Sequence, residues 1–229
     1  LSEIEPAPFT HTRSTTIRGI LYNAQFVSKN SNASLIDSIS IDNQIIPLSS
    51  VSINRGYDNT YRNYVRFNLN PELQDGEHTL AIEAHDIYGH TSSTYWNFVI
   101  DRQAPTLNIQ SLEIISQNIN IELTAADTYS KLLYTLSIGI KDHTGKTILH
   151  QPVITQQAMG DLQYTLPLKD DNGNTLSDGE YSVVVTGSDR AGNRTTTTRS
   201  FTIDTLPPSL ILTMGNILSS GTPTISIHT

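Results

Sequence analysis

At 229 residues the chain is long enough for two domains of about 100 residues, the size at which a sandwich buries a core of its own. Its 14 Lys plus Arg stand against 22 Asp plus Glu, and the net charge of −8 repels phosphate backbones and anionic membrane surfaces, so nucleic acid is not an expected partner. The lack of cysteine removes disulfides, thiolate nucleophiles and Cys-based zinc sites, and no apolar run reaches the ~18 residues of a membrane span.

Residues 1–6 read as the tail of a preceding linker, because Ala7-Pro8-Phe9 resembles the Ala104-Pro105 opening of a later unit. Short strands are expected at 15–21, 36–41 and 63–69, separated by Asn and Gly clusters. From residue 76 the pattern alternates: His78, Leu80 and Ile82 share one face, while Thr79, Ala81, Glu83 and His85 take the other. Asp86-Ile87-Tyr88-Gly89 is a turn, since Asp can bond the backbone ahead of it and Gly can take positive φ. The return strand points Trp96, Phe98 and Ile100 inward and Tyr95 outward, and the junction from Asp101 to Pro105 stops the ladder.

Further strands are expected at 119–124, 132–140 and 163–168. A second hairpin follows, with Tyr181, Val183 and Val185 on one face, a turn at Asp189-Arg190-Ala191-Gly192, and Phe201 and Ile203 inward on the return. Parity predicts full burial of Phe201, and Tyr181 sits where a tyrosine corner bonds its hydroxyl to nearby backbone. No helix-period segment of ten or more residues occurs.

Laid on itself at an offset of 103, the sequence repeats without a gap. Leu73 falls on Leu176, Asp75-Gly76-Glu77 on Asp178-Gly179-Glu180, Asp86 on Asp189 and Gly89 on Gly192. Phe98, Ile100, Asp101, Pro105 and Leu107 fall on Phe201, Ile203, Asp204, Pro208 and Leu210. The expected organisation is therefore all-β: tandem immunoglobulin-like β-sandwich domains at 1–103 and 104–206, with 207–229 forming the first strands of a third, incomplete repeat. Such a chain is expected to be cut from a longer protein.

Asp178-Gly179-Glu180-Tyr181, Asp189-Arg190-Ala191-Gly192-Asn193 and Phe201-Thr202-Ile203-Asp204 with a following proline resemble the bacterial immunoglobulin-like (Big-type) tandem repeats of large surface adhesins. The first unit departs from that pattern at His78 and His90, where the second has Tyr181 and Asn193. The resemblance implies an exported, extracellular or cell-surface setting, and neighbouring repeats of the same chain as the partners. The expected function is that of a non-catalytic spacer or stalk; the alternatives are a module binding glycan or host protein and an accessory domain of a secreted hydrolase.

Catalytic patterns are missing: there is no Gly-x-Ser-x-Gly and no His-Glu-x-x-His. Gly145-Lys146-Thr147 lacks the glycine a phosphate loop needs five residues earlier, and Asp170-Asp171-Asn172-Gly173-Asn174 lacks the sixth-position Gly and twelfth-position Glu of an EF-hand. Tyr57, Tyr61, Tyr64, Tyr88, Tyr95 and Trp96 concentrate aromatic area in the first unit, and Tyr88 and Tyr95 are the candidates for stacking on a ligand. Sandwich topology brings Asp101, at the exit of the first unit, towards the Asp127 loop and the Asp189 turn of the second. Three carboxylates there are a candidate calcium site, which backbone carbonyls and water would complete. The competing expectation is that Arg102 neutralises Asp101 and that Asp189 only caps its turn.

Overall fold

The computed structural model describes residues 2–7, 9–23, 36–57, 63–85, 88–209, 211–214 and 225–228. Asp86, Ile87 and Tyr61 lie outside the described residues.

The N-terminal part contains strands β1 (Ser2–Glu5), β2 (His11–Thr12), β3 (Ile17–Asn23), β4 (Ile36–Ile41), β5 (Gln44–Ile45), β6 (Ser52–Tyr57), β7 (Asn63–Leu69), β8 (Gly76–His85) and β9 (Thr91–Ile100). They form two sheets, ordered β1-β3-β7-β6 and β2-β9-β8-β4-β5. The first strand is split: β1 pairs antiparallel with β3 on one sheet, and β2 crosses to pair parallel with β9 on the other. The inward positions of both sheets meet in one apolar core that includes Ile17, Ile39, Val65, Phe67, Leu80, Ile82, Trp96, Phe98 and Ile100. Gly19 is required by that packing, because a Cβ there would lie 2.7 Å from the ring of the buried Phe67.

The following part contains β10 (Thr106–Ile115), β11 (Asn118–Ala126), β12 (Leu132–Asp142), β13 (Thr147–His150), β14 (Ile154–Ala158), β15 (Gly160–Pro167), β16 (Gly179–Ser188) and β17 (Arg194–Ile203). Its sheets are β10-β11-β15 and β13-β12-β16-β17, with β14 also on β12. A second apolar core, separate from the first, includes Ile119, Ile121, Leu123, Leu133, Leu136, Ile140, Val183 and Val185. Beyond it β18 (Ile211–Met214) pairs antiparallel with β19 (Ile225–His228). In both parts the chain crosses repeatedly between the two sheets, so that β10, β11 and β15 face β12, β13, β16 and β17 in the second, the connectivity of an immunoglobulin-like β-sandwich.

The expected strands at 36–41 and 63–69 coincide with β4 and β7, while the one expected at 15–21 begins two residues later and runs to Asn23. Trp96 and Phe98 are buried as parity requires. Phe201 is not: it is only half-buried. The physical reason is its place on β17, an edge strand, where it packs on the rim of the core and stacks on Tyr181 with ring centroids 5.8 Å apart.

The Tyr181 hydroxyl donates to the Ser177 carbonyl at 2.9 Å, the expected tyrosine corner. His78, its counterpart one repeat earlier, makes the same connection by other chemistry. Its Nε2 lies 2.9 Å from the Gln74 carbonyl, also four residues back, and its ring packs 5.6 Å from Phe98 as Tyr181 packs on Phe201. The substitution thus keeps the contact that fixes the start of the strand.

Candidate functional site at the junction

The last strand of the first sandwich delivers Asp101 to the second. Residues beside β9 hold the end of that strand: Asp101 N–H donates to the Thr12 carbonyl at 2.8 Å, and Asp101 Oδ1 accepts from Gln103 N–H at 3.2 Å. Asp127 closes β11, where its Oδ1 accepts from the N–H groups of Tyr129 and Ser130, both at 2.8 Å, a local turn that short carboxylates make. Asp189 follows β16 in a turn that needs Gly192 at φ 87°. Its two oxygens accept from Asn193 N–H at 2.9 Å and Asn193 Nδ2 at 2.8 Å.

These three turns bring one oxygen each of Asp101, Asp127 and Asp189 within 4.8 Å of one another. Asp101 and Asp189 are fully buried and Asp127 is partly so. Asp101 Oδ2 and Asp127 Oδ2 are buried with no hydrogen-bond donor. Leaving such oxygens unpaired is costly, of the order of 1–3 kcal/mol for a neutral group and more for a charged one. Burial pushes the Asp101 carboxyl up to about 6; the Gln103 N–H works against this, and the charges of Asp127, Asp189 and Asp75 add to the rise.

Several contacts join the two sandwiches around this cluster. Asn193 Nδ2 donates to the Asp101 carbonyl at 3.0 Å, and the Tyr129 hydroxyl donates to the Asp75 carbonyl at 3.2 Å. His11 Nδ1 lies 4.0 Å from Asp101 Oδ2 and 3.4 Å from Ser130 Oγ. Burial lowers the His11 pKa, as does the nearby Arg190 cation, against the pull of Asp189, Asp127 and Glu77. Beside the cluster an open groove of about 510 Å³ is lined by Thr10, His11, Leu132, Tyr134, Gln156 and Arg190.

The structure brings together all three carboxylates named from the sequence. Arg102 does not neutralise Asp101: its guanidinium turns back to Asp75 Oδ1 and the Leu73 carbonyl of its own sandwich. Asp189 does cap its own turn, and it also faces the other two carboxylates. His11 was missed. It reaches the cluster through the two-residue parallel pairing of β2 with β9, which leaves no periodic trace in the sequence. Of the aromatic candidates, Tyr95 is 77% exposed on the outer face of β9 and Tyr88 is 67% exposed, its ring 6.3 Å from that of His90.

The family model described as the FlgD Ig-like domain matches residues 115–191, within the second sandwich. No curated protein matches the chain. Similar solved structures include dimeric latent PorU from Porphyromonas gingivalis, at 13% identity and TM-score 0.36 over 86% of this chain and 19% of that one. A tetra-tandem repeat in the extending region of a large adhesion protein shows 18% identity and TM-score 0.40 over 83% of this chain and 50% of that one. SGBP-B of the Bacteroides ovatus mixed-linkage glucan utilization locus, in complex with a mixed-linkage heptasaccharide, shows 16% identity and TM-score 0.25 over 93% of this chain and 47% of that one. The chain thus spans half or less of the length of each of these three. The family match falls in the part of the chain where the strand order itself is that of an immunoglobulin-like sandwich.

Proposed function

We propose that the chain is a non-catalytic spacer segment of an exported bacterial surface protein, of the kind formed by Big-type adhesin repeats. Units 1–103 and 104–206 stand end to end, 207–229 opens a third unit, and the partners of each unit are its neighbours in the chain. Head-to-tail repetition gains length without a new fold, because each unit contacts only those beside it. The observation that supports this reading best is the buried joint: three carboxylates from both units, tied by Asn193 to the Asp101 backbone. A joint of that kind restrains bending in a way that a bare linker does not.

Three carboxylates that close repel one another unless one of them is protonated or a cation lies among them. Calcium takes six to eight oxygens, so backbone carbonyls and water complete its shell. Calorimetric titration of calcium into the full chain should give one binding event that Asp101→Ala abolishes. No heat, or equal binding by the variant, contradicts a cation-held joint. Exposure of Tyr88 and Tyr95 favours a second reading, in which the first unit also contacts a glycan or host protein by stacking.

A further inference from the structure

We propose that the groove between the two sandwiches is a binding site for a neutral oligosaccharide, with Tyr134 as its stacking face and Arg190 and Gln156 as its hydroxyl partners. The spacer reading neither needs this site nor forbids it. The first sandwich contributes Thr10 and His11 to the groove, the second Leu132, Tyr134, Gln156 and Arg190, around a volume of about 510 Å³. That volume lies within the roughly 300–1,000 Å³ of small-ligand sites. Leu132 and Tyr134 project outward from β12 and are 44% and 53% exposed. Among the described residues the Tyr134 hydroxyl, the Gln156 amide and the Arg190 guanidinium make no hydrogen bond or ion pair. A groove of about 490 Å³ in the first sandwich differs, because its cations are committed: Arg18 Nε pairs with Glu5 at 2.6 Å, and Arg66 lies 5.5 Å over the Tyr64 ring.

The backbone singles out the same place. Among non-glycine residues with positive φ, Asp42, Asn43 and Ser116 sit in the tight turns of the β4–β5 and β10–β11 hairpins, where that conformation is ordinary. Gln156 has φ 56° in the middle of β14, between the pairs Thr155–Thr135 and Gln157–Leu133, which sets it opposite Tyr134. Backbone strain away from a turn collects at ligand-holding positions, where it aims a side chain. The lining selects the ligand class. A pyranose offers an apolar ring face to an aromatic side chain and hydroxyls that both donate and accept, so one tyrosine face flanked by a guanidinium and an amide matches it. An apolar ligand would leave those polar groups desolvated and unpaired. A polyanion is repelled, because the three-carboxylate cluster begins 4.0 Å from His11 and the chain carries a net charge of −8.

The test is an array of neutral gluco-, manno- and galacto-oligosaccharides, with oligogalacturonides as the acidic arm, probed with the full chain; the strongest neutral sugar is then titrated by calorimetry. The expected result is retention on neutral sugars. Tyr134→Ala should weaken binding at least about ten-fold and Arg190→Ala at least about three-fold, the scale of a lost stacking face and of lost hydrogen bonds. Gln156→Gly should weaken it about three-fold without lowering the melting temperature, since glycine adopts that backbone angle freely. Tyr88→Ala and Tyr95→Ala, outside the groove, should stay within about two-fold of wild type. Thermal melts establish that each variant remains folded. No retention on any neutral sugar, or retention on oligogalacturonides alone, overturns the inference. So does binding that Tyr95→Ala removes and Tyr134→Ala leaves intact, which moves the sugar to the outer face of β9. Each of these results leaves the spacer reading standing.

Discussion

Phe98→Ala is expected to lower the stability of the first sandwich by about 3–5 kcal/mol, the range for removing a large aromatic side chain from a packed core. Phe98 is 1% exposed and sits between the sheets with Trp96, Leu80 and Ile82. The alanine leaves a cavity that the surrounding strands cannot close, because β8 and β9 are held along ten residues of continuous pairing. Phe201→Ala, one repeat later, should cost roughly half as much, since that ring is only half-buried at the rim of its core, where it stacks on Tyr181. Calorimetric unfolding should show a transition that moves in Phe98→Ala and one that stays. Equal losses from the two substitutions would show that the two repeats bury their return strands alike, against the structure.

The joint should loosen as pH rises when no cation is bound. Asp101 has a folded pKa of about 6 against an ordinary 3.8, so between these values the folded chain holds a proton that the unfolded chain has released. The associated stability is fully present below about pH 4 and is lost as pH rises through 6, and a gap of that size corresponds to about 3 kcal/mol. Asp101→Asn keeps the group neutral at every pH and should remove this dependence. Thermal unfolding in a chelator, wild type beside variant from pH 4 to 7.5, reads the difference. Coincident pH profiles would contradict the prediction. With a cation bound the trend should reverse, because the ion requires ionised carboxylates.

Much of the fold was legible because the residues that carry it repeat. Asp-Gly-Glu at the start of β8 and β16, the inward alternation of Leu80 and Ile82 or Val183 and Val185, and the Asp and Pro that end each unit follow from period-2 burial and turn chemistry. The three junction carboxylates were legible for a topological reason, since a strand that leaves one unit must meet the turns at the near pole of the next. What could not be read depends on register and on edges. The sequence around His11 carries no strand signal, and only the parallel pairing of His11 with Val99 places it beside Asp101. Phe201 has the parity of a core residue, but parity does not say that its strand lies at a sheet edge. His78 departs from the repeat in sequence and preserves it in contact, because a bond to a carbonyl four residues back can come from a phenol or an imidazole.

In the proposed arrangement the two sandwiches stand end to end about a fixed joint. Small-angle scattering of the full chain tests it most directly. A single compact globule of this length has a radius of gyration of about 17 Å. Two sandwiches standing end to end should give a value well above that, with an elongated profile that sharpens on addition of calcium. A compact, cation-independent profile near the globular value would contradict it.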